Sequence, residues 1–168
     1  MSDNNKIFVS IACFMDRDII NTIEDCLQKA KNPKDVVFGI CFQYDPEDDF
    51  LKKYDNNPQM KIHKMHWKEA KGPTYARYFC SKLLTDENFF LQIDCHTRFF
   101  QDWDTIAVNN WKLSNDEKGI LTNFPIGIPR MENYLSCPVN KSTPKFQTIS
   151  MDNIKLGSVT CGTHNNDK

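Results

Sequence analysis

Residues 6–43 read KIFVSIACFMDRDIINTIEDCLQKAKNPKDVVFGICFQ, and this stretch decides the fold. Its two ends, 6–13 and 36–43, are apolar and contain β-branched and aromatic side chains, which is typical of buried strands. Between them, five residues recur at helical spacing: Ile19, Ile23, Cys26, Leu27 and Ala30. The helix is expected to end before Asn32-Pro33. A strand, a helix and a strand of these lengths predict a βαβ unit whose two strands are parallel neighbours.

The apolar segments that follow continue this alternation. Three further strands are expected, over 60–67, 89–93 and 119–124. The segment 89–93 is predicted to be a buried central strand. One helix is expected to begin at Pro73, and another covers 105–113 with Asp104 as its N-cap. The order β-α-β-β-α-β-α-β predicts an α/β fold, with a Rossmann-type, mostly parallel sheet and flanking helices.

After Pro125 the periodicity fades, and only a weak strand-like pattern remains near 146–151. We therefore expect one structured region over 1–125. An irregular and partly mobile C-terminal extension is expected over 126–168.

The composition limits the classes of function. The 168 residues include 21 Lys and Arg against 22 Asp and Glu, for a net charge of −1. This balance gives no positive field that could hold a nucleic acid or an anionic membrane. No apolar run is long enough to span a membrane, and the polar start MSDNNK does not resemble a secretory signal. The seven cysteines include no CxxC pair. We therefore expect a cytoplasmic protein that binds neither nucleic acid nor membranes.

The triplet Asp94-Cys95-His96 directly follows the strand 89–93. Residues two apart in an extended chain point to the same side, so Asp94 and His96 are expected to lie together while Cys95 turns away. A carboxylate beside an imidazole suits a divalent ion such as Mn²⁺, which could neutralise a diphosphate leaving group. A simpler alternative is that Asp94 caps the next turn and His96 is an ordinary surface residue.

The segment KGPTYAR (71–77) is predicted to end at the same edge of the sheet. Gly72 allows a tight turn, and Pro73 begins a helix whose free amides can face an anion. Arg77 follows the first turn, where it can reach Asp94 or a phosphate. The alternative is a capped surface helix with an exposed arginine.

The turn FMDRD (14–18) and Gln43 follow the first two strands, where an α/β sheet would hold a base and a ribose. Asp16 or Asp18 could equally be a simple helix cap.

Taken in order, six segments resemble one family: KIFVSIACFMDRD, TIEDCLQKA, VVFGICFQ, AKGPTYARYFCSKL, FFLQIDCHTRFFQDWD and GILTNFP. They are similar to the cytoplasmic UDP-N-acetylglucosamine:hydroxyproline-polypeptide N-acetylglucosaminyltransferases, a retaining family with the GT-A fold that modifies an adaptor subunit of a ubiquitin ligase. The resemblance spans Lys6 to Pro125. It implies a nucleotide-sugar-binding, GT-A-like region over 1–125. It also implies Mn²⁺- or Mg²⁺-dependent transfer from UDP-GlcNAc to a protein hydroxyl, that of hydroxyproline.

The resemblance also implies roles for individual residues. Asp94 and His96 would hold the metal on the donor diphosphate, and Arg77 would stabilise the leaving UDP. Trp103 and Asp104 would shape the loop beyond the metal. The residues implied to bind the nucleotide-sugar are Ala12, Phe14, Arg17, Gln43, Gly72, Pro73, Ala76, Arg77 and Asp94.

One departure from the family leaves the function open. Its members continue into an acceptor-binding half with a late histidine ligand, whereas nothing after Pro125 matches that half and only His164 remains there. The sequence is therefore expected to be truncated after the donor-binding half. The alternative to an active glycosyltransferase is a degenerate domain that binds a nucleotide-sugar or a protein partner without turnover.

Overall fold

The computed structural model describes residues 5–122 and the backbone of 147–149. The strands of its main sheet are β1 (Ile7–Phe14), β2 (Val36–Tyr44), β3 (Met60–His66) and β4 (Phe89–Asp94). The helices are α1 (Ile19–Lys29), α2 (Pro73–Ser81) and α3 (Trp103–Leu113). None of the helices within the described residues is long and apolar enough to cross a membrane.

The four strands form one parallel sheet in the order β3-β2-β1-β4. The predicted βαβ unit is confirmed, because Ile7 pairs with Val36 and the two strands stay in register as far as Phe14 and Gln43. The α/β class, with a mostly parallel sheet and flanking helices, is confirmed as well.

The prediction of a buried central strand at 89–93 is wrong for the described sheet. β4 is an outer strand, and its residues alternate between half-buried and exposed. Phe90 is 48% exposed, although its ring stacks on that of Phe8 with 5.6 Å between centroids. The central position belongs to β1, which pairs with β2 on one side and β4 on the other.

The two faces of the sheet have separate apolar clusters. One face packs Val9 and Ile11 of β1 with Ile23 of α1 and Val108 of α3. The other face packs Cys41 of β2 with the α2 residues Ala76 and Cys80. Because successive side chains of a strand point to opposite faces, the sequence assigns each strand residue to one of these two faces.

The sequence predicted that Asp104 caps its own helix, and this is wrong. α3 begins at Trp103, one residue before Asp104, and Asp104 is only 4% exposed. Its two carboxylate oxygens accept hydrogen bonds from the backbone N–H groups of Lys31 and Asn32, each at 2.8 Å. Trp103 is also buried, and its ring N–H donates to the carbonyl of Cys26 at 2.9 Å. Both residues therefore fasten the end of α1.

The chain divides after Val108 into two compact units. In the second unit, β5 (Ile120–Thr122) and β6 (Gln147–Ile149) form an antiparallel pair. These strands fall within the two segments predicted at 119–124 and 146–151. The rest of the extension expected over 126–168, including the tail expected to be mobile, lies outside the described residues.

Candidate functional site

An arginine and an acid meet at the carboxyl edge of the sheet. Asp94 ends β4, and its Oδ1 accepts a hydrogen bond from Arg77 Nη2 of α2 at 3.1 Å. The predicted reach of Arg77 to the strand end is therefore confirmed. The Arg77 Nε is buried and has no hydrogen-bond partner among the described residues, so the guanidinium retains a donor that is not satisfied.

Four of the residues implied to bind the nucleotide-sugar lie on the sheet face that carries α2. They are Ala12, Phe14, Gln43 and Asp94: Ala12 of β1 pairs with Asp94 of β4, and Phe14 of β1 pairs with Gln43 of β2. Phe14 is 48% exposed, whereas Gln43 is 3% exposed. The Oε1 atom of Gln43 is buried without a hydrogen-bond partner in the described part of the chain. A buried amide oxygen without a partner costs free energy that a donor group of a ligand could recover.

The start of α2 has the predicted geometry for binding an anion. Gly72 has φ of +91°, in the left-handed region that glycine adopts readily, and a Cβ built there would meet nothing within 4 Å. Pro73 is the first residue of the helix. The first N–H that bonds back into the helix is that of Ala76, so the N–H groups of Thr74 and Tyr75 are available to a ligand.

A second group of polar side chains lies beside this edge. His96 Nδ1 is 3.2 Å from Asp16 Oδ2 in the turn after β1. The Cys95 thiol donates to the same carboxylate oxygen at 3.4 Å, and its Sγ is 3.7 Å from His96 Nδ1. The Asp16 Oδ1 atom accepts the backbone N–H of Asp18 at 2.9 Å, so the local turn holds the carboxylate in place.

These contacts shift the pKa values of the three side chains. The hydrogen bond to Asp16 raises the pKa of His96, which favours the charged imidazolium. Burial alone would raise the pKa of Asp16, but the hydrogen bonds from the Asp18 backbone and from His96 outweigh it and lower that pKa. The hydrogen bond with Cys13, together with burial and the Asp16 charge, raises the pKa of the Cys95 thiol. The contact therefore favours the charged form of His96 beside the Asp16 carboxylate, and it disfavours the thiolate form of Cys95.

Sequence reasoning placed Cys95 on the side away from His96, and this is wrong. Strand alternation ends at Asp94, and Cys95 and His96 form a turn in which their side chains approach each other. Cys95 is nevertheless buried, as predicted. The end of the strand also removes the alternation from which Asp94 and His96 were expected to lie together. Asp94 contacts Arg77, whereas His96 contacts Asp16.

The segment after the triplet is held by contacts that no motif indicated. Arg98 Nη2 donates to Asp18 Oδ1 at 2.6 Å, across the gap between the loops after β1 and β4. The backbone N–H of Phe99 donates to Asp25 at 2.6 Å, and the hydroxyl of Thr22 donates to the carbonyl of Cys95 at 2.8 Å. The sequence offered one signal, a basic residue two positions after the acid-histidine motif. These contacts fix the turn that carries His96.

Arg17, implied to line the uridine, points toward the loop after β2. It pairs with Asp48, and its guanidinium lies 5.0 Å from the centre of the Phe50 ring. Both charged groups are largely exposed. Arg17 therefore connects the loops that follow β1 and β2 at the carboxyl edge.

The Asp18–Arg98 ion pair is expected to stabilise the protein only above acidic pH. Hydrogen bonding to Arg98 lowers the pKa of Asp18 from its usual 3.8, against the opposing effect of burial. A lowered folded-state pKa means that the contribution is full above 3.8 and is lost as the pH falls through the folded value. Asp18→Asn should therefore cost about 1–2 kcal/mol of unfolding free energy at pH 7, and this cost should shrink below pH ~4.

Urea denaturation over this pH range tests the prediction. Asp48→Asn is the matched control, because its pair with Arg17 is exposed, and it should change the unfolding free energy by less than about 0.5 kcal/mol at any pH. A cost for Asp18→Asn that does not depend on pH would contradict the expected role of the charge.

One protein-family model matches most of the chain. Residues 6–57 and 50–166 match the family model described as Glycosyltransferase (GlcNAc). The match reaches beyond Pro125, where the resemblance between the six segments and the hydroxyproline-directed enzymes ends. A comparison with curated proteins gives no match.

Proposed function

We propose, since this chain belongs to the glycosyltransferase (GlcNAc) family, that it transfers N-acetylglucosamine from UDP-GlcNAc to a protein hydroxyl. Membership of the family implies a nucleotide-sugar donor and an acceptor. The finer assignments, to UDP-GlcNAc and to hydroxyproline, are supported by the resemblance of the six segments over Lys6 to Pro125. The structure adds support for where the donor would bind.

The observation that carries the proposal is the convergence of three features on one face of the sheet's carboxyl edge. The helix start at Gly72-Pro73 presents free amides, Arg77 presents a guanidinium, and Asp94 presents an exposed carboxylate. Ligands of parallel α/β sheets bind at this edge, and amides with an arginine are the usual partners of phosphate oxygens.

The base and ribose would bind next to this anion site. Ala12 pairs with Asp94 and Phe14 pairs with Gln43 in the sheet register, and the exposed Phe14 ring offers a surface for stacking. The buried Gln43 Oε1 needs a donor, and the N3–H group of a uracil is one. These features support a uridine nucleotide as the donor.

The residues present also suit a divalent metal. The Asp94 carboxylate ends β4 and the His96 imidazole lies two residues further on in the turn, and both side chains are exposed. The Asp16 carboxylate on His96 Nδ1 leaves Nε2 as the nitrogen for a metal, which is the common support for a ligating histidine. When bound, Mn²⁺ or Mg²⁺ would supply charge neutralisation for the diphosphate.

The chain's own groups would then stabilise the leaving nucleotide. As the bond between the sugar and the diphosphate breaks, negative charge grows on the phosphate oxygens of UDP. Arg77 and the first amides of α2 lie at this edge of the sheet and would stabilise such charge with little reorganisation. Asp16 would hold the His96 ring in a fixed orientation throughout.

Calorimetric titration with UDP-GlcNAc, in Mn²⁺ and again in a chelator, tests the donor assignment. Asp94→Asn is expected to weaken Mn²⁺-dependent binding by at least about tenfold. Asp86→Asn is the matched control, because Asp86 is also an exposed acid but precedes β4, whereas Asp94 is the last residue of that strand. Absence of binding to the wild type, or equal binding by Asp94→Asn, would refute the proposal.

Turnover separates an active transferase from a binding domain. Release of UDP and the gain of one N-acetylhexosamine by a hydroxyproline peptide, but not by the matching proline peptide, would support transfer. Binding of UDP-GlcNAc without either product would instead identify a domain that binds the donor without turnover.

A further inference from the structure

The contacts of Cys95 have no role in the proposed transfer. Its thiol, the Asp16 carboxylate and the His96 imidazole place one ligand atom each within 4.8 Å of one another. Within the described part of the chain, this group combines a carboxylate, an imidazole and a thiol. We propose that Asp16, Cys95 and His96 form a preformed site for Zn²⁺, which shares only His96 with the carboxylate–imidazole pair assigned to the donor's metal.

The distances between the three ligand atoms agree with tetrahedral zinc. With Zn–S of about 2.3 Å and Zn–N and Zn–O of about 2.0 Å, a tetrahedral ion separates its ligands by about 3.3–3.6 Å. In the structure, Cys95 Sγ is 3.4 Å from Asp16 Oδ2 and 3.7 Å from His96 Nδ1, and the last two atoms are 3.2 Å apart. The three atoms therefore already lie near the corners of one face of a zinc tetrahedron.

The chemistry of the ligands selects zinc over manganese. A thiolate is a soft ligand that favours Zn²⁺, whereas Mn²⁺ prefers oxygen ligands and binds sites of this kind more weakly. In the free protein the Cys95 thiol donates its hydrogen to Asp16. Zinc binding would replace this hydrogen bond and the contact between His96 Nδ1 and Asp16 with Zn–S, Zn–O and Zn–N bonds. The thiol proton and the proton on His96 Nδ1 would both be released to solvent.

The site has support on one side and is open on the other. The turn after β1 fixes Asp16 through the Asp18 N–H, and the Thr22 hydroxyl fixes the carbonyl of Cys95. The side chain of His96 is 56% exposed and that of Asp16 is 36% exposed. An ion can therefore enter from solvent, and its fourth position is left for water or another exogenous ligand.

Zinc at this site would compete with the assigned metal for His96. Bound through Nδ1, the ring would lose its hydrogen bond to Asp16 and become a poorer ligand at Nε2. Low concentrations of Zn²⁺ should therefore inhibit Mn²⁺-dependent turnover. This consequence rests on the proposed function, whereas zinc binding itself does not.

Cobalt spectroscopy of the reduced, metal-free full chain tests the site without nucleotide. Co²⁺ should give a near-ultraviolet thiolate-to-cobalt charge-transfer band, and one equivalent of Zn²⁺ should remove it. Cys95→Ser should abolish the band and weaken zinc binding, measured by competition with a chelating dye, by at least about tenfold. Asp16→Asn leaves the thiol in place and should weaken zinc binding as well.

Cys80→Ser is the matched control, because Cys80 is a buried thiol on the α2 face that donates to the carbonyl of Ile11. It should bind Co²⁺ and Zn²⁺ as the wild type does. Absence of the charge-transfer band in the wild type, a band that persists in Cys95→Ser, or unchanged zinc affinity in Asp16→Asn would overturn the proposal. Failure of UDP-GlcNAc binding alone would leave it intact, because no nucleotide enters the measurement.

Discussion

His96→Ala is expected to lower the rate of acceptor-free UDP-GlcNAc hydrolysis in Mn²⁺ by at least about a hundredfold. The assay measures UDP released as water replaces the protein hydroxyl as the attacking group. His96 and Asp94 are the two proposed ligands of the metal ion, and alanine provides no ligand atom in place of the imidazole nitrogen. Because the free helix amides and Arg77 remain, binding of UDP should weaken less than turnover does.

The contact with Asp16 predicts a graded series of variants. Asp16 would act through His96 and would not touch the donor, so Asp16→Asn should lower turnover by about 10–100-fold, in the range typical of residues that support a metal ligand. Asp16→Glu keeps the negative charge and should restore part of the rate. An effect of Asp16 on folding alone would give equal losses for Asn and Glu.

His66→Ala is the matched control for His96→Ala. His66 is an imidazole at the carboxyl end of β3, where its ring accepts the N–H of Lys68 at 3.1 Å and stacks beside Trp67. It lies at the same edge of the sheet but at the opposite outer strand. Hydrolysis should stay within about twofold of wild type, because surface changes away from a site have small effects. Equal losses for the two histidine variants, or no loss for His96→Ala, would contradict the assigned role.

The parts of the fold that depend on local pattern were predictable from the sequence. β1 and β2 are apolar over most of their length because both faces of a central parallel strand are covered. Pro73 indicated the start of α2 because its missing N–H costs nothing there. The approach of Arg77 to Asp94 was also predictable, because a helix start and a strand end in one βαβ unit meet at the same edge of the sheet.

The other half of the candidate site was not predictable, because it depends on the conformations of loops. Asp16 and His96 are 80 residues apart, and no spacing rule relates the turn after β1 to the turn after β4. The predicted orientation of Cys95 was wrong because it assumed that the strand continued, whereas the strand ends at Asp94. The prediction for Asp104 failed as well, because an acid near a helix start indicates a cap even where its carboxylate accepts hydrogen bonds from the amides of another segment.

Asp104→Ala is expected to lower the free energy of unfolding by about 3 kcal/mol, although the residue is remote in sequence from α1. The carboxylate accepts two backbone N–H groups at 2.8 Å, those of Lys31 and Asn32, and is only 4% exposed. Alanine would leave both donors without their partner at the point where α1 ends. Each unsatisfied donor costs about 1–3 kcal/mol where water cannot replace the acceptor.

Asp45→Ala provides the contrast that identifies burial as the cause. Asp45 also accepts a backbone N–H, that of Glu47 at 3.1 Å, but in an exposed loop where water can take its place. Its loss should cost less than about 1 kcal/mol. With a urea m-value of about 1–3 kcal/mol per M, Asp104→Ala should lower the denaturation midpoint by about 1 M or more, several times the shift for Asp45→Ala. Similar shifts for the two variants would contradict this role, because they would mean that water can replace the Asp104 carboxylate as the acceptor for the two N–H groups.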